Sequence, residues 1–215
     1  MKLVLHNYWR SSASQRVRIA LGLKQLAYEY VAVNIVSGAQ QSDAYRAKNP
    51  LAQVPTLEVT EDDGTRHAIS QSLPIIEYLE DRFPEHPIHP RDPWRRARSR
   101  QLAEIVNAGI QPFQNLSTSR KLKALGADDG PWIKGFIADG LAAFARTAEE
   151  TAGKFSVGDA PSLADCCLVP QLASARRFGV DYAQHALIVR IEEACLALPA
   201  FAAAAPEQQP DAVKQ

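Results

Sequence analysis

The chain has 215 residues, of which 46% are hydrophobic and 22% charged, which suits one large or two small domains and excludes a short chain needing disulfide or metal staples. Lysine plus arginine and aspartate plus glutamate each number 24, and the resulting net charge of zero argues against a nucleic-acid partner. No apolar run approaches the roughly 18 residues of a membrane span, and the N-terminus lacks the apolar centre of a signal peptide. We therefore expect no membrane insertion and a cytoplasmic location.

Residues 1–83 alternate between strand and helix signals. Strands are predicted at 3–8, 28–33, 55–59 and 67–69, and helices at 12–24, 43–48 and 72–83. The first two strands are joined through a helix and are therefore expected to be parallel, whereas Asp63-Gly64 predicts a hairpin between the last two. The order βαβαββα predicts an α/β domain of the thioredoxin-like type.

Prolines mark the boundary between two parts of the chain. Pro84, Pro87, Pro90 and Pro93 predict an extended linker at 84–93. The remainder, 94–215, is predicted to be an all-α domain, with a first helix from 93 to 113 or beyond and three more at 131–150, 163–178 and 187–198. Ser162 and Asp165 have capping-box spacing at the start of the third of these helices. The segment after Pro206 is predicted to be frayed.

Cysteine and histidine usage argues against disulfides and metals. The three cysteines, Cys166, Cys167 and Cys195, are an odd number in the C-terminal half, so we expect buried free thiols. His86 and His89 are three residues apart but lie in the proline-rich linker, and no metal site is expected. The N-terminal half must therefore perform any sulfur chemistry with a thiol from another molecule.

Several segments together resemble one known family. In the N-terminal part they are residues 11–21, which begin Ser-Ser-Ala-Ser-Gln-Arg, residues 49–57, which end Val-Pro-Thr-Leu, and residues 71–80, which begin Gln-Ser-Leu-Pro. Further matches are residues 109–117, 164–171, 177–178 and 209–211. Across essentially the whole chain these segments resemble zeta-class glutathione transferases, a group that includes maleylacetoacetate isomerases. The resemblance implies a glutathione-binding thioredoxin-like domain, a helical substrate-side domain and a homodimer.

The serine-rich start of the first predicted helix suits a bound thiolate. Ser11, Ser12 and Ser14 lie where free N–H groups and the positive end of the helix dipole favour negative charge, and a hydroxyl there can donate to sulfur. Such surroundings lower the pKa of a thiol from about 8.5, so glutathione can be activated without a protein base. Gln71 and Ser72 begin another helix, suited to the γ-glutamyl carboxylate. The alternative at both places is simple helix capping.

The resemblance implies further contacts to glutathione and to the substrate. Val54 matches a residue that precedes a cis proline and offers its backbone N–H and C=O to the cysteinyl part of the tripeptide. The dipeptide Val54-Pro55 does not itself fix the isomer. Gln40 also matches a family position, and its neighbour Gln41 stays open as an alternative. The remaining matched positions are Ala13, Gln15, Arg16, Gln111, Asn115, Leu116 and Ser117.

The implied reaction is a glutathione-dependent cis–trans isomerisation. The glutathione thiolate adds to the cis double bond of a dicarboxylic keto acid, rotation follows, and the thiolate leaves as the trans isomer forms. In this family maleylacetoacetate becomes fumarylacetoacetate, in the breakdown of tyrosine and related aromatic compounds. Cations are needed for the substrate carboxylates and donors for the enolate, and the candidates are Arg10 and Arg177. For Arg10 a structural salt bridge is an equal alternative.

One departure and three alternatives stay open. Ala13 stands where many family members carry cysteine, which predicts weaker isomerisation or a shift to other substrates, although a serine-based thiolate site is unaffected. A maleylpyruvate isomerase is one alternative, but the arginine pair expected there is missing from residues 115–118, Asn-Leu-Ser-Thr. A zeta-class transferase acting on small α-halo acids is the second alternative. A non-catalytic binding module of the same fold is the third.

Overall fold

The computed structural model describes residues 1–213 and divides into two compact units. The first unit is Met1–Ile88 together with the C-terminal segment from Leu198 onward, and the second is His89–Ala197. This division corrects the prediction that the whole stretch 94–215 belongs to the helical domain. Among the helices of residues 1–213, none combines the length and apolar character that crossing a membrane requires.

A four-stranded mixed sheet forms the centre of the first unit. The strands are β1 (Lys2–Asn7), β2 (Glu29–Ala32), β3 (Thr56–Thr60) and β4 (Arg66–Ser70), in the order β2-β1-β3-β4. β1 pairs with β2 in parallel, and both other pairs are antiparallel. The predicted thioredoxin-like arrangement is confirmed.

Three helices accompany this sheet, namely α1 (Ser12–Leu23), α2 (Asp43–Arg46) and α3 (Ser72–Arg82). Every residue of α1 from Ser14 to Leu21 is buried, and α3 buries Leu73, Ile76 and Leu79 at helical spacing. Helices α1 and α3 pack against each other over these buried residues. The burial of apolar side chains at 3.6-residue spacing is the main source of helix stability here.

The second unit is helical: α4 (Pro93–Asn107), a 3-10 helix (Gln111–Gln114), α5 (Leu116–Ala124), α6 (Asp129–Ala148), α7 (Leu163–Phe178) and α8 (Ala186–Leu196). The first helix of this unit is shorter than predicted: α4 ends at Asn107, and Gly109 and Pro112 follow in place of a further helical turn. Helix α5 was missed because none of its residues is buried, so it shows no apolar periodicity. Helices α4 and α7 form the main packed pair of this unit.

Helix α7 begins with the predicted capping box, which is confirmed. The Asp165 carboxylate is fully buried and accepts hydrogen bonds from the Ser156 N–H (2.9 Å), the Ser162 N–H (2.8 Å) and the Ser162 hydroxyl (2.9 Å). Burial raises the pKa of Asp165, and these hydrogen bonds oppose that effect. The three cysteines are free and buried, as predicted, and burial raises the pKa of Cys166 and of Cys195.

The C-terminal segment packs on α1 through α9 (Pro199–Ala203). Gly22 permits the approach, because a Cβ atom added there would lie 3.1 Å from the Cβ of Ala200. The prediction of fraying after Pro206 is wrong for the described residues of this segment. Gln209 is buried, and its amide Nε2 donates to the C=O groups of Ala203 and Ala205, both at 2.8 Å.

Candidate functional site

Strand pairing brings three chain segments to one edge of the sheet in the first unit. His6, near the end of β1, pairs with Thr56 at the start of β3, and Thr56 pairs in turn with Ser70 at the end of β4. The loop from β1 to α1, the dipeptide before β3 and the start of α3 therefore lie side by side. These segments carry Ser11–Arg16, Val54 and Gln71–Ser72, so the structure brings these candidate site residues together.

The three serines at the start of α1 have different environments. Ser11 is the N-cap residue, and its Oγ accepts a hydrogen bond from the Ser14 N–H at 3.2 Å. Ser14 is fully buried, whereas Ser12 is half-buried in the first turn. The Ser11 hydroxyl is therefore used for capping the helix, whereas the Ser12 hydroxyl is not. The N–H groups of Ser12 and Ala13 lie in the first turn, where a helix provides them with no internal acceptor.

Ser72 and Arg16 connect the starts of α3 and α1. The N-cap residue of α3 is Gln71 and not Ser72, so the capping interpretation of Ser72 is wrong. The Ser72 hydroxyl instead accepts a hydrogen bond from the buried guanidinium of Arg16 at 3.2 Å. This contact places a positive charge beside the N-terminal end of α3, and both features favour a bound anion.

Gln71 has an unusual backbone conformation. Its φ is 73°, in the left-handed region that a residue with a Cβ atom rarely adopts, and its side chain is exposed. A strained residue of this kind costs roughly 1–3 kcal/mol and persists where the surrounding structure requires it, often at binding sites. The conformation is therefore consistent with a binding position at the start of α3.

The Val54-Pro55 peptide bond is cis, as the family resemblance implies. Val54 is half-buried and Pro55 buried, and both directly precede β3. The backbone N–H and C=O of Val54 thus lie on the same sheet edge as the start of α1.

Gln40 and Gln41 differ in exposure. Gln40 is buried, and its Nε2 donates to the Ile35 C=O at 3.3 Å, while its Oε1 has no hydrogen-bond partner within residues 1–213. Gln41 is exposed and accepts a hydrogen bond from Arg46. Of the two alternatives, Gln40 holds the unused buried acceptor.

Arg10 is exposed, and its guanidinium lies 5.3 Å from the centroid of the Trp9 ring in a cation–π contact. Arg18, which the sequence analysis did not single out, is buried in α1 and donates to the Trp9 C=O and the Asn7 Oδ1, both at 2.9 Å. Burial lowers the pKa of Arg18. The sequence signal that would have identified it is an arginine between the apolar residues Val17 and Ile19.

The other candidate residues belong to the second unit. Gln111 begins the 3-10 helix, and Asn115 is the N-cap residue of α5, followed by the exposed Leu116 and Ser117. Arg177 is exposed in the last turn of α7, and its guanidinium lies 4.5 Å from the Phe178 ring centroid. The structure thus groups Gln111 with Asn115–Ser117 in one connection and places Arg177 on a separate helix.

Arg176 is occupied by structural contacts. Its guanidinium forms an ion pair with Glu192 at 2.6 Å and donates to the Tyr182 hydroxyl. This pairing raises the pKa of Arg176 above its ordinary value, against the effect of burial. Within residues 1–213, no group of three or more His, Cys, Asp or Glu side chains is placed to hold a metal ion.

Comparisons with known proteins show the family to which the chain belongs. Residues 5–87 match the family model described as glutathione S-transferase, N-terminal domain. The chain is 45% identical to maleylacetoacetate isomerase of Rattus norvegicus over 213 residues, which cover 98% of this chain and 95% of the rat protein.

Solved structures are similar over nearly the same length. A maleylacetoacetate isomerase from Anaeromyxobacter dehalogenans 2CP-1 with bound GSH is 51% identical, with a TM-score of 0.92, and the match covers 99% of this chain and 98% of that one. The same protein has been solved with dicarboxyethyl glutathione and citrate in its active site. A maleyl pyruvate isomerase, described as a bacterial zeta-class glutathione S-transferase, is 41% identical, with a TM-score of 0.90 over 98% of this chain and 100% of that one. The chain therefore belongs to the family of zeta-class glutathione transferases and maleylacetoacetate isomerases.

Proposed function

We propose that this protein is a glutathione-dependent cis–trans isomerase that converts maleylacetoacetate to fumarylacetoacetate. The observation that carries the proposal is the meeting of α1, the cis Val54-Pro55 dipeptide and α3 at one sheet edge, with the Arg16–Ser72 hydrogen bond joining the two helix starts. Two helix N-termini and a buried guanidinium at one edge suit a ligand with a thiolate and a carboxylate, which glutathione has.

Ser12 is proposed to donate its hydroxyl hydrogen to the glutathione sulfur. Ser11 is used as the helix cap and Ser14 is fully buried, which leaves Ser12 as the half-exposed hydroxyl in the first turn. The N–H groups of the first turn, those of Ser12 and Ala13, add to the stabilisation of the thiolate. The segment continues through the buried residues Gln15 and Arg16, which fix the position of this turn.

The rest of the tripeptide is proposed to bind along the same edge. The backbone of Val54 pairs with the cysteinyl part as an added strand would. Gln71 and the Ser72 N–H bind the γ-glutamyl carboxylate at the start of α3, where the charge of Arg16 adds attraction. Gln40, with its unused buried Oε1, is proposed to accept from an N–H group of the bound peptide.

Isomerisation then proceeds by addition and elimination. The thiolate forms a C–S bond with one carbon of the cis double bond, and the π electron pair moves onto the conjugated carbonyl oxygen as an enolate. The former double bond is now single and rotates. When the enolate collapses, the C=C bond re-forms in the trans geometry and the C–S bond breaks, so glutathione is regenerated without net transfer of a proton.

Arginines are proposed to bind the anionic groups of the substrate. Arg10 directly precedes the N-cap of α1 and stabilises the developing enolate, and Arg177 binds a substrate carboxylate. Arg176 is unsuited to this role because Glu192 and Tyr182 hold it. The proposed substrate-side positions of the second unit are Gln111, Asn115, Leu116 and Ser117. Since Ala13 supplies no thiol, the whole sulfur chemistry depends on glutathione.

Isomerisation of maleylpyruvate is the second candidate function, favoured by the similarity to the maleyl pyruvate isomerase. The absence of an arginine pair from residues 115–118 speaks against it. Conjugation or dehalogenation of small α-halo acids uses the same thiolate and is the third candidate. We further propose that the enzyme acts as a cytoplasmic homodimer in the breakdown of tyrosine and related aromatic compounds, on the basis of family membership.

The proposed function is tested by measuring isomerisation of maleylacetoacetate and maleylpyruvate, with and without glutathione, beside conjugation of an α-halo acid. We expect the highest glutathione-dependent rate on maleylacetoacetate. Inactivity on both isomerisation substrates would refute the proposal. Failure to bind glutathione in titration calorimetry would favour a binding module of another kind.

The role of Ser12 is tested with Ser12→Ala, using Ser11→Ala as the matched control. A hydrogen bond to a charged group contributes about 1.5–3 kcal/mol, so Ser12→Ala should raise the pKa of bound glutathione thiol by roughly 1–2 units. The pKa is read from the pH dependence of thiolate absorbance. Ser11→Ala should instead lower the free energy of unfolding by about 1 kcal/mol through the lost cap. An unchanged thiol pKa in Ser12→Ala would move the donor role to Ser11 or Ser14.

A further inference from the structure

The C-terminal segment holds the loop before α1 through a carboxylate. Asp211 Oδ2 accepts a hydrogen bond from the Trp9 N–H at 3.2 Å, and Asp211 Oδ1 accepts one from the Tyr30 hydroxyl. Trp9 and Tyr30 lie 202 and 181 residues away from Asp211 in the chain. Burial and the neighbouring Asp211 raise the pKa of Tyr30, which keeps this hydroxyl protonated as a donor.

The backbone C=O of the same residue, Trp9, is held by Arg18. Its Nη2 donates to the Trp9 C=O at 2.9 Å and to the Ala204 C=O at 3.2 Å, so the guanidinium also joins the loop to the C-terminal segment. Both backbone groups of Trp9 therefore have charged partners. Hydrogen bonds to charged groups are roughly twice as strong as those between neutral groups, and two of them at one residue strongly restrict its φ and ψ angles.

Trp9 stands directly before the residues of the proposed thiolate site. Arg10 and Ser11 follow it, and the Ser11 N–H donates to the Tyr8 C=O at 3.0 Å, which closes a tight turn. The direction in which the chain leaves Trp9 thus decides where the first turn of α1 presents its N–H and hydroxyl groups. A displacement of about 1 Å in such a turn weakens catalysis about a hundredfold when a reacting atom must be held in place.

We propose that Asp211 is a positioning residue for the glutathione thiolate. It acts through the Trp9 N–H on the placement of Arg10, Ser11 and Ser12 and does not itself touch the tripeptide. This inference rests on the proposed function, in which the start of α1 binds the thiolate.

The test compares Asp211→Ala, Asp211→Asn and Tyr30→Phe in the full chain. Asp211→Ala removes the acceptor for the Trp9 N–H and should raise the KM for glutathione about tenfold, which corresponds to the loss of one charge-assisted hydrogen bond. It should also raise the pKa of the bound thiol. Asp211→Asn keeps an oxygen for the Trp9 N–H but no charge, and should give an intermediate effect. Tyr30→Phe removes the other hydrogen bond of the same carboxylate and should leave both quantities at the wild-type value.

Two results would overturn the inference. One is a wild-type KM and thiol pKa in Asp211→Ala, even with a lower melting temperature, because a purely structural role affects only stability. The other is an equal change in Tyr30→Phe, because the effect would then not pass through Trp9. If Asp211→Ala does not fold, the comparison of Asp211→Asn with Tyr30→Phe decides in the same way. Wild-type protein that binds no glutathione in calorimetry would instead refute the proposed function.

Discussion

Replacing Asp165 by alanine should destabilise the protein by about 3 kcal/mol. The change removes the acceptor of three hydrogen bonds of 2.8–2.9 Å. The buried N–H groups of Ser156 and Ser162 then lose the carboxylate to which they donate. Each buried donor left unpaired costs about 1–3 kcal/mol, and rotation of the Ser162 hydroxyl relieves the third loss. Removing a buried carboxylate also returns part of its desolvation cost, so the net loss lies below the sum of the three bonds.

The assay is urea unfolding of Asp165→Ala beside Asp159→Ala. Asp159 is exposed and accepts one backbone hydrogen bond, from the Lys154 N–H at 2.9 Å, so its replacement should cost less than about 1 kcal/mol. The dependence of the unfolding free energy on urea concentration should stay unchanged in both variants, because the surface exposed on unfolding does not change. A loss below about 1 kcal/mol in Asp165→Ala would refute the interpretation of this carboxylate as the centre of the α7 capping network.

Three further outcomes follow from buried charged or reactive groups. Lys24→Met should cost about 3–5 kcal/mol in urea unfolding, because it removes the buried cation that lies 2.7 Å from the Glu80 carboxylate and that also donates to the Phe83 C=O; a loss near zero would contradict a tightly coupled pair. Burial lowers the pKa of His6 below 6.5, so the unfolded chain binds the proton more readily and the free energy of unfolding should fall as pH drops below 6.5. His6→Gln should flatten that dependence between about pH 5 and 7, and an unchanged slope would assign it to other groups. The three cysteines should react with a thiol reagent only after unfolding, and rapid labelling of native protein would disprove their burial.

The N-terminal sheet and its helices were predictable because their signals are local. Alternation of apolar residues, the Asp63-Gly64 pair and serine at a helix start each act within a few residues. The same holds for the capping box of Ser162 and Asp165. Helix α5 lacks a buried face, so periodicity had nothing to detect. The left-handed Gln71 could not be predicted, since glutamine has no preference for positive φ.

The candidate site was predictable in part. The start of α1 and the Gln71-Ser72 pair were predicted from the family resemblance, supported by residue type and position, and the structure brings them together. The hydrogen bond between Asp211 and Trp9 was not predictable, because the two residues lie 202 positions apart and neither segment has a sequence pattern that indicates the contact. The hydrogen bond from Arg16 to Ser72 was not predictable either, since the two residues lie 56 positions apart in the chain.

The first unit is built from both ends of the chain, and this arrangement affects its order of assembly during translation. His89–Ala197 is one continuous stretch and can fold as soon as it has left the ribosome. The sheet of the first unit is made earlier, but the Ala204 carbonyl that accepts from Arg18 emerges only after the second unit. The contacts between α1 and α9 can therefore form only once the second unit has been made.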